Sequence, residues 1–164
     1  MKINKILTIL TFFLIFSCGF EPIYSQKKLD SNYNFTIASI GFSGNNDINQ
    51  YLKNNLANYI NNEDKETKYD LIINSSIIKT ITSKNKKGNP EIFYTKIQIN
   101  VDIIEDDKIK NKTIFEEGFE YKNKSNQYEL NKYEKNIQKN LTDKISKDLI
   151  EYLYYIKWFK KHLK

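Results

Sequence analysis

Ile92-Phe93-Tyr94-Thr95-Lys96-Ile97-Gln98-Ile99-Asn100-Val101-Asp102-Ile103-Ile104-Glu105 alternates apolar and polar side chains along nearly its whole length. A period of two is the signature of a strand with one buried face. Phe93, Ile97, Ile99, Val101 and Ile103 point one way, and Lys96, Gln98, Asn100 and Asp102 point the other. A slip of one residue would bury the polar set, so this strand fixes its own register and that of its neighbours. The stretch decides the fold class, because a half-buried strand of this length needs pairing strands beside it and a helical layer against one face.

Outward from it, the strand pattern repeats. Upstream, Tyr69 to Ile81 reads as a strand with Leu71, Ile73 and Ile77 on one face and Asp70, Asn74 and Ser76 on the other. Thr82 to Pro90 reads as the connecting loop, rich in Lys, Gly, Asn and Pro. Downstream, Asp106 to Asn111 reads as a hairpin turn and Lys112 to Tyr121 as a fourth strand. Earlier, Phe35 to Phe42 forms a first strand, with Phe35, Ile37 and Ser39 expected opposite Thr36, Ala38 and Ile40. A turn over Ser43 to Asn46 leads into a helix, with Asn46 or Asp47 as the expected N-cap. Its apolar stripe is Ile48, Tyr51, Leu52, Leu56, Tyr59 and Ile60. From Tyr128 onward Leu130, Tyr133, Ile137, Leu141, Ile145, Leu149, Leu153 and Ile156 recur mostly at four-residue steps, which predicts a long terminal helix. The expected order is β-α-β-β-β-α. Strand–helix–strand favours a parallel pair with a right-handed crossover, and short connections favour antiparallel pairs. The fold class is therefore α/β (α+β), a two-layer sandwich: two helices packed on one face of a four-stranded mixed sheet, the other face polar and open.

The beginning of the chain follows different rules. Lys2 and Lys5 precede an apolar run from Ile6 to Phe16, the length of a signal-peptide core and too short to span a bilayer. The run ends in Ile15-Phe16-Ser17-Cys18, a lipobox pattern: a branched apolar residue at −3, a small one at −1, then Cys. The thiol is the group that receives a diacylglyceryl chain, and after cleavage the Cys18 amine can take an N-acyl chain such as palmitate. The expected organisation is a lipoprotein signal peptide over residues 1–17, a lipidated N-terminus and tether over 18–34, and one folded domain over 35–164. Several acyl chains give a stable anchor. Gly19 rather than Asp follows the Cys. Gram-negative sorting rules link Asp at that place to inner-membrane retention, so Gly19 fits a destination in the outer membrane, on its periplasmic side.

Composition narrows the functional classes. With 40% hydrophobic and 28% charged residues the chain is globular rather than disordered. The formal net charge of +6 comes entirely from Lys, since Arg is absent. Arg is the usual reader of bases and phosphates, and its absence argues against a nucleic-acid partner. There is one His, His162, in the basic tail, and the single Cys is used by lipid. No nucleophile–His arrangement, zinc-ligand cluster or phosphate-binding glycine loop can be assembled from these residues. The chain is expected not to be an enzyme and to carry no metal and no cofactor beyond the covalent lipid on Cys18. Two features remain for binding. Lys84, Lys86 and Lys87 can meet lipid phosphates or form a solvated loop. Trp158-Phe159-Lys160-Lys161-His162-Leu163-Lys164 can lie on a membrane interface or partner, or finish the packing of the helix.

The mature start reads Cys18-Gly19-Phe20-Glu21-Pro22-Ile23-Tyr24. It resembles the C-G-F-x-P-L-Y opening of the lipopolysaccharide-assembly lipoprotein family LptE, with Ile23 for the usual Leu. The order of elements fits too, as does the lead-in to the terminal helix with Asn126, Tyr128, Glu134 and Asn136. Glu21 stands where the family often has Arg, so no lipopolysaccharide contact is carried over. The resemblance implies an α/β sandwich at the inner leaflet of the outer membrane. It implies a partner, the β-barrel LptD, which the domain helps assemble and plugs, and lipopolysaccharide as the cargo. The alternative is an unrelated periplasmic lipoprotein acting as accessory subunit of a lipid transport system.

Overall fold

The structure is a computed structural model that describes residues 34–62, 65–106 and 108–162, with side chains described through residue 157. The leader, Cys18 and residues 19–33 lie outside the described residues. Strand β1 (Phe35–Gly44) is followed by helix α1 (Asn46–Leu56) and a single 3-10 turn (Ala57–Tyr59). Strands β2 (Thr67–Lys84), β3 (Pro90–Glu105) and β4 (Lys108–Lys122) lead to helix α2 (Gln127–His162). The sheet order is β1-β2-β3-β4. β1 and β2 are parallel, while β2/β3 and β3/β4 are antiparallel. The expected two-layer arrangement of a mixed four-stranded sheet and two helices is observed.

β3 behaves as its alternation requires. Ile97, Ile99, Val101 and Ile103 are fully buried, and each residue between them is half-exposed on the other face. Leu71 and Ile73 of β2 complete the dry face. Ile48, Leu52 and Leu56 of α1 and Ile145, Leu149 and Leu153 of α2 cover it. Each fully buried side chain of this kind contributes about 1.5–3 kcal/mol relative to exposure. With 36 residues, α2 is about 54 Å long at 1.5 Å per residue, enough to span the length of the sheet. Asn126 caps it, accepting from the Tyr128 and Glu129 amides at 2.9 and 3.3 Å.

Four expectations need correction. In β1 the register steps between Ile37 and Ser39, leaving Ala38 as a bulge. A bulge reverses the sense of alternation, so Ile40 and Phe42 face the core with Phe35 and Ile37, and Ser39 faces out. The N-cap of α1 is Asn45, one residue earlier than expected; its side chain accepts from the Ile48 amide at 3.0 Å. The hairpins are tighter than their composition implied. β2 and β3 pair out to Lys84–Pro90, and β3 and β4 out to Glu105–Lys108. Finally, the open face is mixed rather than polar. Ile72, Ile78 and Ile114 are 50%, 44% and 60% exposed there, among the cross-strand pairs Lys112–Asp102 (2.7 Å) and Lys96–Glu116 (3.2 Å).

β1 stops at Gly44, opposite Ser75, but β2 runs nine residues further, to Lys84. The far half of the sheet therefore has three strands and only the start of α2 above it. The stop is built from close contacts. Gly44 has φ +90°, and the Asn45 amide donates to the Ser75 carbonyl at 3.0 Å. The buried Ser75 hydroxyl donates to the Asn49 side chain at 2.7 Å. A Cβ on Gly44 would lie 2.0 Å from the Ser75 carbonyl oxygen. Gly44→Ala is expected to cost at least about 2 kcal/mol, through positive-φ strain and backbone collision. Urea denaturation measures it; an unchanged midpoint would mean that the turn relaxes freely.

Candidate binding surfaces

The Lys84/Lys86/Lys87 loop becomes a rigid tip at the far end of the sheet. Lys84 is the last residue of β2, and Lys86 and Lys87 sit in the turn Asn85 to Asn89. Asn85 ties the turn together. Its backbone amide donates to the Asn89 carbonyl and its carbonyl accepts from the Gly88 amide, each at 2.9 Å. Its side chain accepts from the Lys87 and Asn89 amides at 2.9 and 3.1 Å. Gly88 takes φ +81°, which suits a residue without a side chain. All three lysines are exposed, and no ion pair among the described residues involves them. The loop is thus ordered by Asn85 while its ammonium groups stay solvated.

Two residues join this end that the sequence does not place there. The pairing of Ile92 with Lys122 brings Lys122 and Lys124 beside the tip. A shallow depression of about 320 Å³ is lined by Asn85, Pro90, Glu91, Lys122, Lys124 and their neighbours. Beside it a second hollow, of about 580 Å³, is lined by Ile92, Phe119, Tyr121 and Tyr133 together with Glu120, Lys122, Asn123 and Lys124. Lys124 holds its ammonium 4.5 Å from the centre of the Tyr133 ring. The result is a basic end with aromatic walls, a chemistry suited to an amphiphile bearing phosphate. The usable signal in the sequence was the strand register itself: once β3 and β4 are aligned, Lys122 must lie opposite the start of β3.

The start of α2 is clamped to this half of the sheet by a polar cluster that joins buried Tyr121 and Thr95 to half-buried Glu134 and exposed Lys79. Glu134 accepts from the Tyr121 hydroxyl at 2.8 Å and pairs with Lys79 at 2.6 Å. The Tyr121 hydroxyl also lies 3.2 Å from the Thr95 hydroxyl. Lys79 sits 4.2 Å above the Phe93 ring, whose centre is 5.7 Å from that of Tyr121. Three strands and the helix meet at these side chains. Further along, Lys144 of α2 pairs with Glu117 of β4 at 2.6 Å, which pushes the ammonium pKa up.

The opposite end holds Phe35, Tyr59 and Tyr69, with the Phe35 ring 6.4 Å from Tyr59 and 5.9 Å from Tyr69. The Tyr69 hydroxyl is buried without a hydrogen-bond partner among the described residues. Cys18 lies outside the described residues, as do the side chains from Trp158 on, so the expected lipidation site and the tail rest on sequence. Among the described residues no helix is long and apolar enough to cross a membrane.

No protein-family model matches the chain, and no curated protein matches it in sequence. Solved structures do match in fold. A lipoprotein B from Nitrosomonas europaea superposes with a TM-score of 0.56 at 10% identity, over 79% of this chain and 92% of that one. The rare lipoprotein B from Shewanella oneidensis gives 0.53 at 12% identity, over 73% and 98%. A minor lipoprotein from Acinetobacter baumannii gives 0.52 at 13%, over 73% and 92%. The chain has the fold of these lipoprotein domains.

The two buried tyrosines make a pH prediction. Burial pushes both phenols up to about 12, assisted by the Glu105 charge at Tyr69 and by Glu134 at Tyr121. A free Tyr loses its proton near pH 10, so between about 10 and 12 the folded chain holds more protons than the unfolded one. Stability is then full below about pH 10 and falls as pH rises towards about 12. Urea midpoints across that window should decline, and decline less in Tyr69→Phe/Tyr121→Phe. At neutral pH the single changes separate: Tyr121→Phe should cost about 1–2 kcal/mol, and Tyr69→Phe about nothing, since its hydroxyl has no hydrogen bond to lose among the described residues. Equal losses would contradict the assigned hydrogen bonds.

Proposed function

We propose that this chain is an outer-membrane lipoprotein, anchored by acyl chains on Cys18, that assembles with and plugs an LptD-type β-barrel and assists lipopolysaccharide delivery to the outer leaflet. The observation that carries the reading is Cys18-Gly19-Phe20-Glu21-Pro22-Ile23-Tyr24 placed directly after an apolar leader. Acylation of that Cys holds the domain at the membrane and raises its effective concentration towards a membrane partner. The shared fold with lipoprotein domains supports the reading.

The domain's surface suits the role. A barrel interior is polar, and the open sheet face offers it Asn100, Gln98 and cross-strand ion pairs, with Ile72, Ile78 and Ile114 available to exclude water. A rigid two-layer domain with its sheet pinned by β3 is a suitable plug, since little ordering remains to oppose docking. At the far end Lys84, Lys86 and Lys87 present donors to anionic phosphates. Lys122 and Lys124 widen that basic area beside the aromatic hollow.

A photo-crosslinking residue introduced in cells at Asn100 or Ile114 should yield an adduct with a large outer-membrane β-barrel. Adducts with soluble or inner-membrane proteins alone would instead favour an accessory subunit of another lipid transport system. Cys18→Ala should abolish outer-membrane fractionation, and unchanged fractionation would refute the anchor. Changing Lys84, Lys86 and Lys87 together to Gln should weaken lipopolysaccharide binding on the order of tenfold, the effect of a few screened charge-assisted contacts. Unchanged affinity would make the hairpin tip a solvated turn.

A further inference from the structure

Where an outer strand stops short, the strand beside it becomes an edge. β1 pairs with β2 only as far as Gly44 and Ser75, while β2 continues to Lys84. Ser76 to Ile81 therefore pairs with β3 on one side and, among the described residues, with no strand on the other. The backbone shows which groups are left over. The Asn45 amide donates to the Ser75 carbonyl at 3.0 Å, so the N–H and C=O of Ser75 face the β1 side. Successive residues of a strand turn these groups to alternate sides, and the register against β3 is regular from Asp70 to Ile81. The N–H and C=O groups of Ile77, Lys79 and Ile81 consequently point out of the open edge. Those of Ser76, Ile78 and Thr80 serve the ladder with β3.

The other edges of the sheet are blunted. β4 carries four lysines and three glutamates over its 15 residues. β1 is bent by the bulge at Ala38 and covered at Ile37, which bridges to Ile60 and accepts from the Asn61 amide at 3.1 Å. Charge, bulges and covering segments are the usual defences against strand addition. Ser76 to Ile81 lacks all three. Its sequence, Ser-Ile-Ile-Lys-Thr-Ile, is rich in β-branched residues. Its one charge, on Lys79, is drawn onto Glu134 at 2.6 Å and lies over the Phe93 ring. The irregularity of β2 comes later, between Ile81 and Ser83.

The side chains along the edge describe the occupant. Ile81, opposite buried Phe93, is 47% exposed on the helix side near half-buried Ile77. Ile78 is 44% exposed on the open face. An added strand thus meets apolar side chains on both faces, which favours β-branched and apolar residues in it. At the hairpin end, exposed Lys84 has no ion pair among the described residues and suits an acidic neighbour. A second copy suits the edge less well. Aligning two Ile77–Ile81 edges antiparallel sets Lys79 against Lys79 and carries each hairpin turn into the Gly44 end of the other β1.

We propose that the Ile77–Ile81 edge of β2 takes up an extended segment of a partner polypeptide as an added strand in line with β1. The segment's backbone bonds to Ile77, Lys79 and Ile81, and an acidic residue lies at its Lys84 end. Main-chain pairing supplies the affinity and the alternating side chains supply the preference. The added strand gives the far half of β2 a second neighbour and covers Ile81. The proposal draws on neither the lipid anchor nor the barrel partner.

The probe is a synthetic peptide of about eight residues, an ordinary strand length, alternating Thr and Val and ending in Glu. Amide exchange is followed residue by residue in the isotope-labelled folded protein. At saturating peptide the Ile77, Lys79 and Ile81 amides should exchange on the order of tenfold slower, with those of Ser76, Ile78 and Thr80 unchanged. The same peptide with every amide N-methylated should protect none of them. Ile81→Pro removes an edge-facing donor that the β2/β3 ladder does not use, a change tolerated at an edge. It should weaken binding on the order of tenfold, whereas Ile81→Val keeps the amide and should bind as the parent does. If Ile81→Pro unfolds, the two peptides on the parent chain decide the matter. No protection at millimolar peptide, or equal protection by the N-methylated peptide, overturns the proposal. Protection that appears without peptide and grows with protein concentration also overturns it, and makes a second copy the occupant.

Discussion

The dry face of β3 is the constraint from which the other features of the domain follow. Ile97, Ile99, Val101 and Ile103 lie between β2 and β4 and under the helices. Moving the strand by one residue would set Lys96, Gln98, Asn100 and Asp102 against Ile145 and Leu149, with no partners for their charges and amides. Burying such groups unpaired costs several kcal/mol each, which excludes the slip. With β3 fixed, the antiparallel ladders fix β2 and β4. Both helices are then confined to one side, and the other side must stay open.

Much of this was legible because β3 and α2 carry strong, long periodicities. The order of elements, the parallel first pair and the helical layer on one face all follow from those patterns and short connections. What was not legible arises where local rules compete. A bulge at Ala38 cannot be told from ordinary alternation, because Ser39 and Ile40 are each acceptable on either face until β2 is alongside. Thr82 to Lys84 and Lys108 to Asn111 read as loops because all their side chains but that of Ile109 are polar; the ladder needs only their backbones, and the outer ends of solvated hairpins tolerate polar side chains. Asn45, Asn46 and Asp47 are all competent caps, and the choice of Asn45 is made by its amide bond to Ser75 across the sheet.

The candidate surfaces divide in the same way. The lysines of the hairpin tip were visible as a run, whereas Lys122 and Lys124 joined them only through strand pairing. Glu134 stood out at the head of the terminal helix, but nothing local announced that Tyr121 and Lys79 would converge on it from two strands. Cys18 is the reverse case, a proposed site whose chemistry is read entirely from the flanking sequence. The two ends of the domain consequently have different tasks in the functional reading. One end holds Asn34, where the described chain begins, against Lys157 near the end of α2. The other extends a narrower, basic arm of the sheet away from it.

Amide hydrogen exchange on the folded protein tests the central claim, that one cooperative core is organised by the dry face of β3. The account predicts that the amides of Ile97 to Ile103 and of Leu141 to Leu149 exchange slowest and at a common opening free energy, because strand and helix can only open together. Slow exchange in β3 accompanied by exchange in the middle of α2 as fast as in the Asn85–Asn89 turn would contradict it, since the helix would then not be what keeps that face dry.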